Sequence, residues 1–174
     1  MQKNSIFHSI LNELEKEKIV FLFGARYTNK KSIIQSIIKD LKKQDKKTIC
    51  FSLDKEKNNP ILKDGFSFAT YVLKNFLKED AVIYIFLEEI QNIKNAEEFL
   101  KSVFVALKHK VRMIVTSSIS HKLCQKNKML EGVVANFWLF SGGFREFLAY
   151  RGEVIEDSYI NNLENNLKFP LIFL

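Results

Sequence analysis

Three short segments bring together side chains that could act on a phosphate. The first is Gly24-Ala-Arg-Tyr-Thr-Asn-Lys-Lys-Ser32, which follows an apolar run and opens a helical stretch. A strand–turn–helix junction of this kind offers unpaired helix N-terminal N–H groups to an anion, with lysines beside them. The phosphate-binding pattern G-x-x-x-x-G-K-[ST] would place Gly at 24 and 29, Lys at 30 and a hydroxyl at 31. Here those positions hold Gly24, Asn29, Lys30 and Lys31, so two of the four are filled. The second segment is Leu87-Glu-Glu-Ile-Gln91. An acidic pair at a strand tip can hold Mg²⁺ through water with one carboxylate and orient an attacking water with the other. The third is Thr116-Ser-Ser118, whose hydroxyls can reach a γ-phosphate from a neighbouring strand. Each segment has a plainer reading: solvated lysines at a turn, an exposed acidic pair, and hydroxyls capping a helix. Together they weigh more, because they fall in chain order at the carboxyl ends of three expected strands, where open α/β sheets bind ligands.

The elements that must position them follow from periodicity. Ile6–Lys18 carries a helical stripe of Ile6, Phe7, Ile10, Leu11 and Leu14. Ile19–Phe23 is a continuous apolar strand broken by Gly24, and Asn29–Lys43 resumes helical spacing through Ile33, Ile34, Ile37, Ile38 and Leu41. Thr48–Leu53, Val82–Leu87, Val111–Thr116 and Asn136–Phe140 read as further strands. Phe66–Leu77, Glu97–Lys108 and Phe144–Tyr150 read as helices. Strands that are apolar throughout belong to a parallel sheet covered on both faces, and their alternation with helices gives a three-layer α/β fold. Phe66, Phe68, Phe76, Phe99 and Phe104 are expected in the core, and Cys50, within a strand, is expected to be buried and inert.

The segments also carry a family resemblance. Phe21-Leu-Phe-Gly-Ala-Arg-Tyr-Thr-Asn-Lys-Lys-Ser32 resembles the hydrophobic–G-A-R-x-x-G-K-T-T loop of a group of prokaryotic AAA+-like P-loop ATPases. Ile85-Phe-Leu-Glu-Glu-Ile-Gln91 resembles that group's D-E-I-Q Walker B segment, and Val115-Thr-Ser-Ser118 its sensor-1 strand. Trp138-Leu-Phe-Ser-Gly-Gly-Phe-Arg-Glu-Phe-Leu148 resembles its L-x-P-L-S-F-x-E-F-L signature. The resemblance spans about residues 5–152. It implies a P-loop NTPase-like parallel sheet in the order 5-1-4-3-2 with helices on both faces, and ATP with Mg²⁺ as cofactors. Gly24, Ala25, Arg26, Asn29, Lys30, Lys31 and Ser32 would form the nucleotide loop, with Lys30 on the β- and γ-phosphates. Glu88 would hold Mg²⁺ through water, Glu89 would be the catalytic carboxylate, and Thr116 or Ser117 the sensor. The departures are as informative. Asn29 replaces the loop's second Gly, Lys31 replaces the hydroxyl that ligates Mg²⁺, and Gly132-Val133 stands where the family commonly has Gly-Arg. Such a loop predicts ATP binding with weak or absent hydrolysis. The alternatives are a non-catalytic interaction module on the same scaffold, or a fragment of a longer ATPase.

Composition bounds the rest. At 174 residues the chain has room for one ordinary domain. We expect an ATPase-like core over residues 1–152 and a C-terminal helical or apolar tail over 153–174, a truncated lid in that reading. The family's full lid and C-terminal domain have no room in this length. Phe-Pro-Leu-Ile-Phe-Leu174 calls for an apolar partner surface: the core, a second copy, or another protein. Two Cys make no disulfide framework, no apolar run approaches the roughly 20 residues of a membrane helix, and His8, His109 and His121 are isolated. A cytoplasmic protein without a membrane partner is the expectation. The net charge of +7 comes from 23 Lys and only 4 Arg, beside 14 Asn, 18 Ile and 16 Phe. That joint excess is what an A/T-rich coding sequence yields, so the charge predicts weak nucleic-acid binding at most.

Overall fold

The computed structural model describes residues 2–16, 18–25, 28, 30–56, 59–77, 82–118, 130, 132–140 and 171–173. The chain opens with α1 (Gln2–Glu15), β1 (Ile19–Gly24), α2 (Lys30–Lys43) and β2 (Lys47–Ser52). It continues with α3 (Gly65–Asn75), β3 (Ile83–Glu88), α4 (Ala96–Leu107), β4 (Val111–Ser117), β5 (Val134–Phe140) and β6 (Leu171–Phe173). The strands form one sheet in the order β2-β3-β4-β1-β5-β6, and every pairing is parallel. The five-stranded order expected from the resemblance is therefore present. A sixth strand extends it, with Trp138 opposite Leu171 and Phe140 opposite Phe173.

Alternation within the apolar strands sends side chains to two cores. On one face Ile19, Phe21 and Phe23 of β1 pack with Ile83, Ile85 and Leu87 of β3 under α3 and α4. On the other, Val20 and Leu22 pack with Phe86 and Ile114 under α1 and α2. The first core is aromatic: Phe51, Phe68 and Phe99 form a chain of rings with centroids 5.0 and 5.5 Å apart. Phe23 stacks on Trp138 at 4.8 Å and so ties β1 to β5.

Helix α2 starts where it does because apolar positions recur at Ile33, Ile34, Ile37 and Leu41, while its exposed side is polar. Lys42 and Lys43 sit in its last turn, where cations favour the helix dipole. Helix α3 begins at a cap: Asp64 accepts hydrogen bonds from the Ser67 N–H and Ser67 Oγ, both at 2.8 Å. Two expectations are corrected here. Phe66 is 73% exposed, because the buried stripe of α3 runs through Gly65, Phe68, Ala69 and Val72. Cys50 is exposed, because β2 is the edge strand and Cys50 lies on its more accessible side. The expected helix at 144–150 lies outside the described residues, as does most of the tail over 153–174.

Candidate nucleotide site

The loop between β1 and α2 sits at the carboxyl end of the central strand and is short because β1 runs almost directly into the helix. Gly24 is required by close approach. A Cβ there would stand 2.5 Å from Thr28 Oγ1 and 2.6 Å from the Leu139 carbonyl oxygen. Lys30 is buried, at 6% exposure, with its ammonium folded back into the loop. Its Nζ donates to the carbonyl oxygens of Gly24 and Ala25 at 2.6 and 2.7 Å, and more weakly to Thr28 Oγ1 at 3.4 Å. Thr28 Oγ1 donates in turn to the Ala25 carbonyl at 2.7 Å, and the Lys30 N–H bonds the Thr28 carbonyl. Burial pushes the Lys30 ammonium below the ordinary lysine pKa, and the nearby Glu89 carboxylate opposes that shift. The charged lysine thus pairs with loop dipoles while facing the acidic tip of β3.

The tip of β3 and the end of β4 lie side by side, since these strands pair in parallel through Leu87 and Val115. Glu89 follows β3 in a left-handed conformation, φ 62° and ψ 53°. Its N–H donates to Thr116 Oγ1 at 3.0 Å, and its carboxylate accepts from Gln91 Nε2. Gln91 Nε2 also donates to Ser118 Oγ at 2.7 Å, and its Oε1 accepts from Ser117 Oγ at 2.9 Å. Thr116 and Ser117 are buried. The Gln91 amide therefore holds the Glu89 carboxylate against the end of β4.

Glu88 occupies a second rim, toward β2. Its Oε2 accepts from Ser52 Oγ at 3.4 Å, and Cys50 Sγ lies 4.0 Å from its Oε1. The same Ser52 proton is shared with Asp54 Oδ1, the closer acceptor at 3.0 Å. Partial burial, with the carboxylates of Glu88 and Glu56, pushes the Cys50 thiol up to about 11, while Lys31 pulls the other way. Lys31 and Ser32 are exposed on the first turn of α2.

The structure thus brings Gly24, Ala25, Lys30, Glu89, Thr116 and Ser117 together, with Glu88 and Lys31 on the adjacent rim. Arg26 and Asn29 lie outside the described residues, as do Ser141 to Leu148 of the last motif. Gly132, with φ 81°, is exposed and Val133 half-buried ahead of β5. Two participants were not among the expected site residues, Thr28 and Gln91, while Ser118 was a candidate hydroxyl without an assigned role. Gln91 and Ser118 close their motifs in the sequence, and that was their signal; Thr28 had none.

The donor set does not fit a magnesium ion shared between loop and β3. Position 31 carries an ammonium without a lone pair, the Thr28 hydroxyl is turned to Ala25, and Ser32 faces solvent. Among the described residues no group of three or more His, Cys, Asp or Glu side chains converges on a common point.

A parallel sheet in this order, with a lysine loop after the central strand and an acidic tip two strands away, defines a P-loop ATPase fold of the AAA+ class. Within that class the chain belongs to the AAA domain family, whose model matches residues 16–148. Solved structures share the fold. PCH-2 of C. elegans aligns with a TM-score of 0.55 and 15% identity over 90% of this chain and 49% of its own. A structure of Drosophila ORC bound to AT-rich DNA and Cdc6 aligns at 0.53 and 11%, over 78% and 52%. Replication initiator DnaA bound to AMPPCP and single-stranded DNA aligns at 0.50 and 16%, over 90% and 54%. The chain spans about half the length of these structures. A search of curated protein sequences gives no match. Among the described residues no helix is long and apolar enough to cross a membrane.

Proposed function

We propose that this domain binds ATP at the β1–α2 loop and turns it over slowly or not at all. The observation that carries the reading is the buried Lys30 of the loop, whose ammonium feels the charge of Glu89: the Glu89 N–H bonds Thr116, and its carboxylate accepts from Gln91, which Ser117 holds in turn. A bound β- or γ-phosphate would take over the bonds that Lys30 makes to Gly24 and Ala25, exchanging neutral carbonyl partners for an anion. DnaA, which shares the fold, is seen bound to a nucleotide analogue, and this supports a nucleotide in the corresponding cleft here. Weak turnover is supported by Lys31 and by the lack of an arginine at 132–133, since an arginine finger alone is worth about 10³-fold or more in rate.

A titration with labelled ATP tests the reading. We expect saturable binding, and steady-state hydrolysis too slow for Glu89→Gln to reduce measurably. Binding undetectable at millimolar ATP sinks the nucleotide claim; robust multiple turnover abolished by Glu89→Gln sinks the claim of degeneracy.

A second reading is an interaction module, and one observation favours it. DnaA and ORC, which share the fold, are seen bound to DNA, and a lysine-rich chain of net charge +7 can add weak affinity for it. Counterion release makes that binding steeply salt-dependent. A salt-sensitive rise in melting temperature with DNA, and none with ATP, supports the module over the ATP-binding domain. A protein partner on the apolar C-terminal segment belongs to the same reading.

A further inference from the structure

We propose that Lys31 stands in for the divalent cation, so that this site takes a nucleoside triphosphate free of metal. The inference rests on the nucleotide reading above and specifies the ionic form of its ligand. It starts from the misfit between the donor set and a hard cation. Mg²⁺ asks for oxygen ligands in near-octahedral array, and a loop that carries it supplies a hydroxyl directly after the phosphate lysine. Here that residue is Lys31, with three N–H donors and nothing to ligate a metal. The next hydroxyl along, Ser32, is turned about 100° around the helix and is exposed.

The neighbouring rim carries a carboxylate. The Glu88 carboxylate stays on the β2 side, accepting from Ser52 Oγ at 3.4 Å with Cys50 Sγ at 4.0 Å. The charges of Glu88 and Lys31 are both felt at the Cys50 thiol, in opposite senses. A metal held there would face the lysine's like charge. A triphosphate without metal would instead meet two lysines in succession, Lys30 from inside the loop and Lys31 from its solvent side, with the N-terminus of α2 behind them. Charge neutralisation of the β- and γ-phosphates is then built into the chain. The reach of Lys31 is unobstructed, since its side chain is exposed and no hydrogen bond or ion pair ties it down among the described residues.

Equilibrium binding of a fluorescent ATP analogue to the full chain, with unlabelled ATP as competitor, decides the matter in excess magnesium chloride and in EDTA. Wild type should bind equally in both, within about twofold, and Lys31→Thr, which restores the hydroxyl, should lose about tenfold in EDTA relative to magnesium. Lys31→Ala should weaken binding about tenfold in either buffer. Because Lys31 is exposed, these variants should keep the wild-type melting temperature, which is checked in parallel. Wild-type binding that collapses in EDTA overturns the lysine-for-metal inference and leaves the nucleotide reading standing. Binding absent in both buffers, or unaffected by Lys30→Ala, overturns the nucleotide reading itself.

Discussion

Glu89 holds a left-handed backbone, φ 62° and ψ 53°, that costs a residue with a Cβ roughly 1–2 kcal/mol. Its N–H bond to Thr116 and the Gln91 contact to its carboxylate keep it there. Glu89→Gly and Glu89→Ala both delete that carboxylate, and only glycine escapes the strain. The glycine variant should therefore be more stable by about 1 kcal/mol, read from urea midpoints; equal stabilities would show that the conformation is unstrained. Cys50 makes a second case. With its thiol pushed up to about 11, the thiolate fraction at pH 8 is on the order of 10⁻³, against roughly a quarter for a free thiol. Alkylation of Cys50 in a Cys124→Ser background should be slow and climb about tenfold per pH unit up to pH 10. Glu88→Gln removes a like charge and should speed it; Lys31→Thr removes the opposing charge and should slow it. Reversed effects would separate both side chains from the rim. At this scale the sequence was partly legible. The positions of Glu89, Thr116 and Ser117 were readable because they lie at or just past strand ends, and that of Lys30 because it opens the helix after β1. Thr28 was not, because a hydroxyl that bonds a carbonyl three residues back leaves no pattern in the sequence.

Helices α3 and α4 show how an element finds its place and how a sequence pattern can mislead. Gly65 lets the two helices touch: a Cβ there would meet the Phe99 carbonyl oxygen at 2.3 Å and Ser102 Cβ at 2.7 Å. Gly65→Ala should therefore cost about 2–3 kcal/mol, despite alanine's better helix propensity, because backbone on the facing helix cannot yield. For a chain of this length that is a fall of about 5–10 °C in melting temperature. Phe66→Ser, one residue on, should change stability by less than about 0.5 kcal/mol, since the ring is 73% exposed. A large loss for Phe66→Ser would mean that the ring is covered in solution. Counting phenylalanines put Phe66 in the core; helical geometry takes it out, because two residues turn the helix by about 200° and Phe68 already faces inward. The strands were easier. Their continuous apolar runs marked a sheet covered on both faces, although the strand order came from the motif resemblance and not from the runs. Cys50 was misjudged although the resemblance's strand order already put β2 at the edge: the expectation read the strand alone and not the side of it that Cys50 lies on.

At the scale of the whole molecule, the addition that no local pattern announced is β6. Its three residues join the open side of β5, far along the chain from it. The apolar ending was legible as a surface in need of a partner, this chain's core among the candidates; that it would add a strand to the sheet beside β5 was not, because pairing across that distance has no periodic signature. The placement has a physical consequence. Without β6, β5 becomes an edge strand with the sequence Val-Ala-Asn-Phe-Trp-Leu-Phe, which carries neither charge nor proline. Uncharged apolar edges of this kind pair with other chains. A chain ending at residue 168 should thus lose the ladder bonds of a three-residue strand, about 1–3 kcal/mol in all, and melt several degrees lower. Its light scattering on warming should rise earlier and steepen with protein concentration, whereas ATP should stabilise both forms alike, since β5 stands between β1 and β6 and β6 supplies none of the loop residues. Replacing Ala135, whose Cα partner in β1 is Val20, would disturb the core and is a poor rescue. Masking the freed edge with a short charged extension should restore solubility without restoring the melting temperature. A truncated chain that melts within a degree of the full one and stays monodisperse would show that β5 is protected by something other than β6.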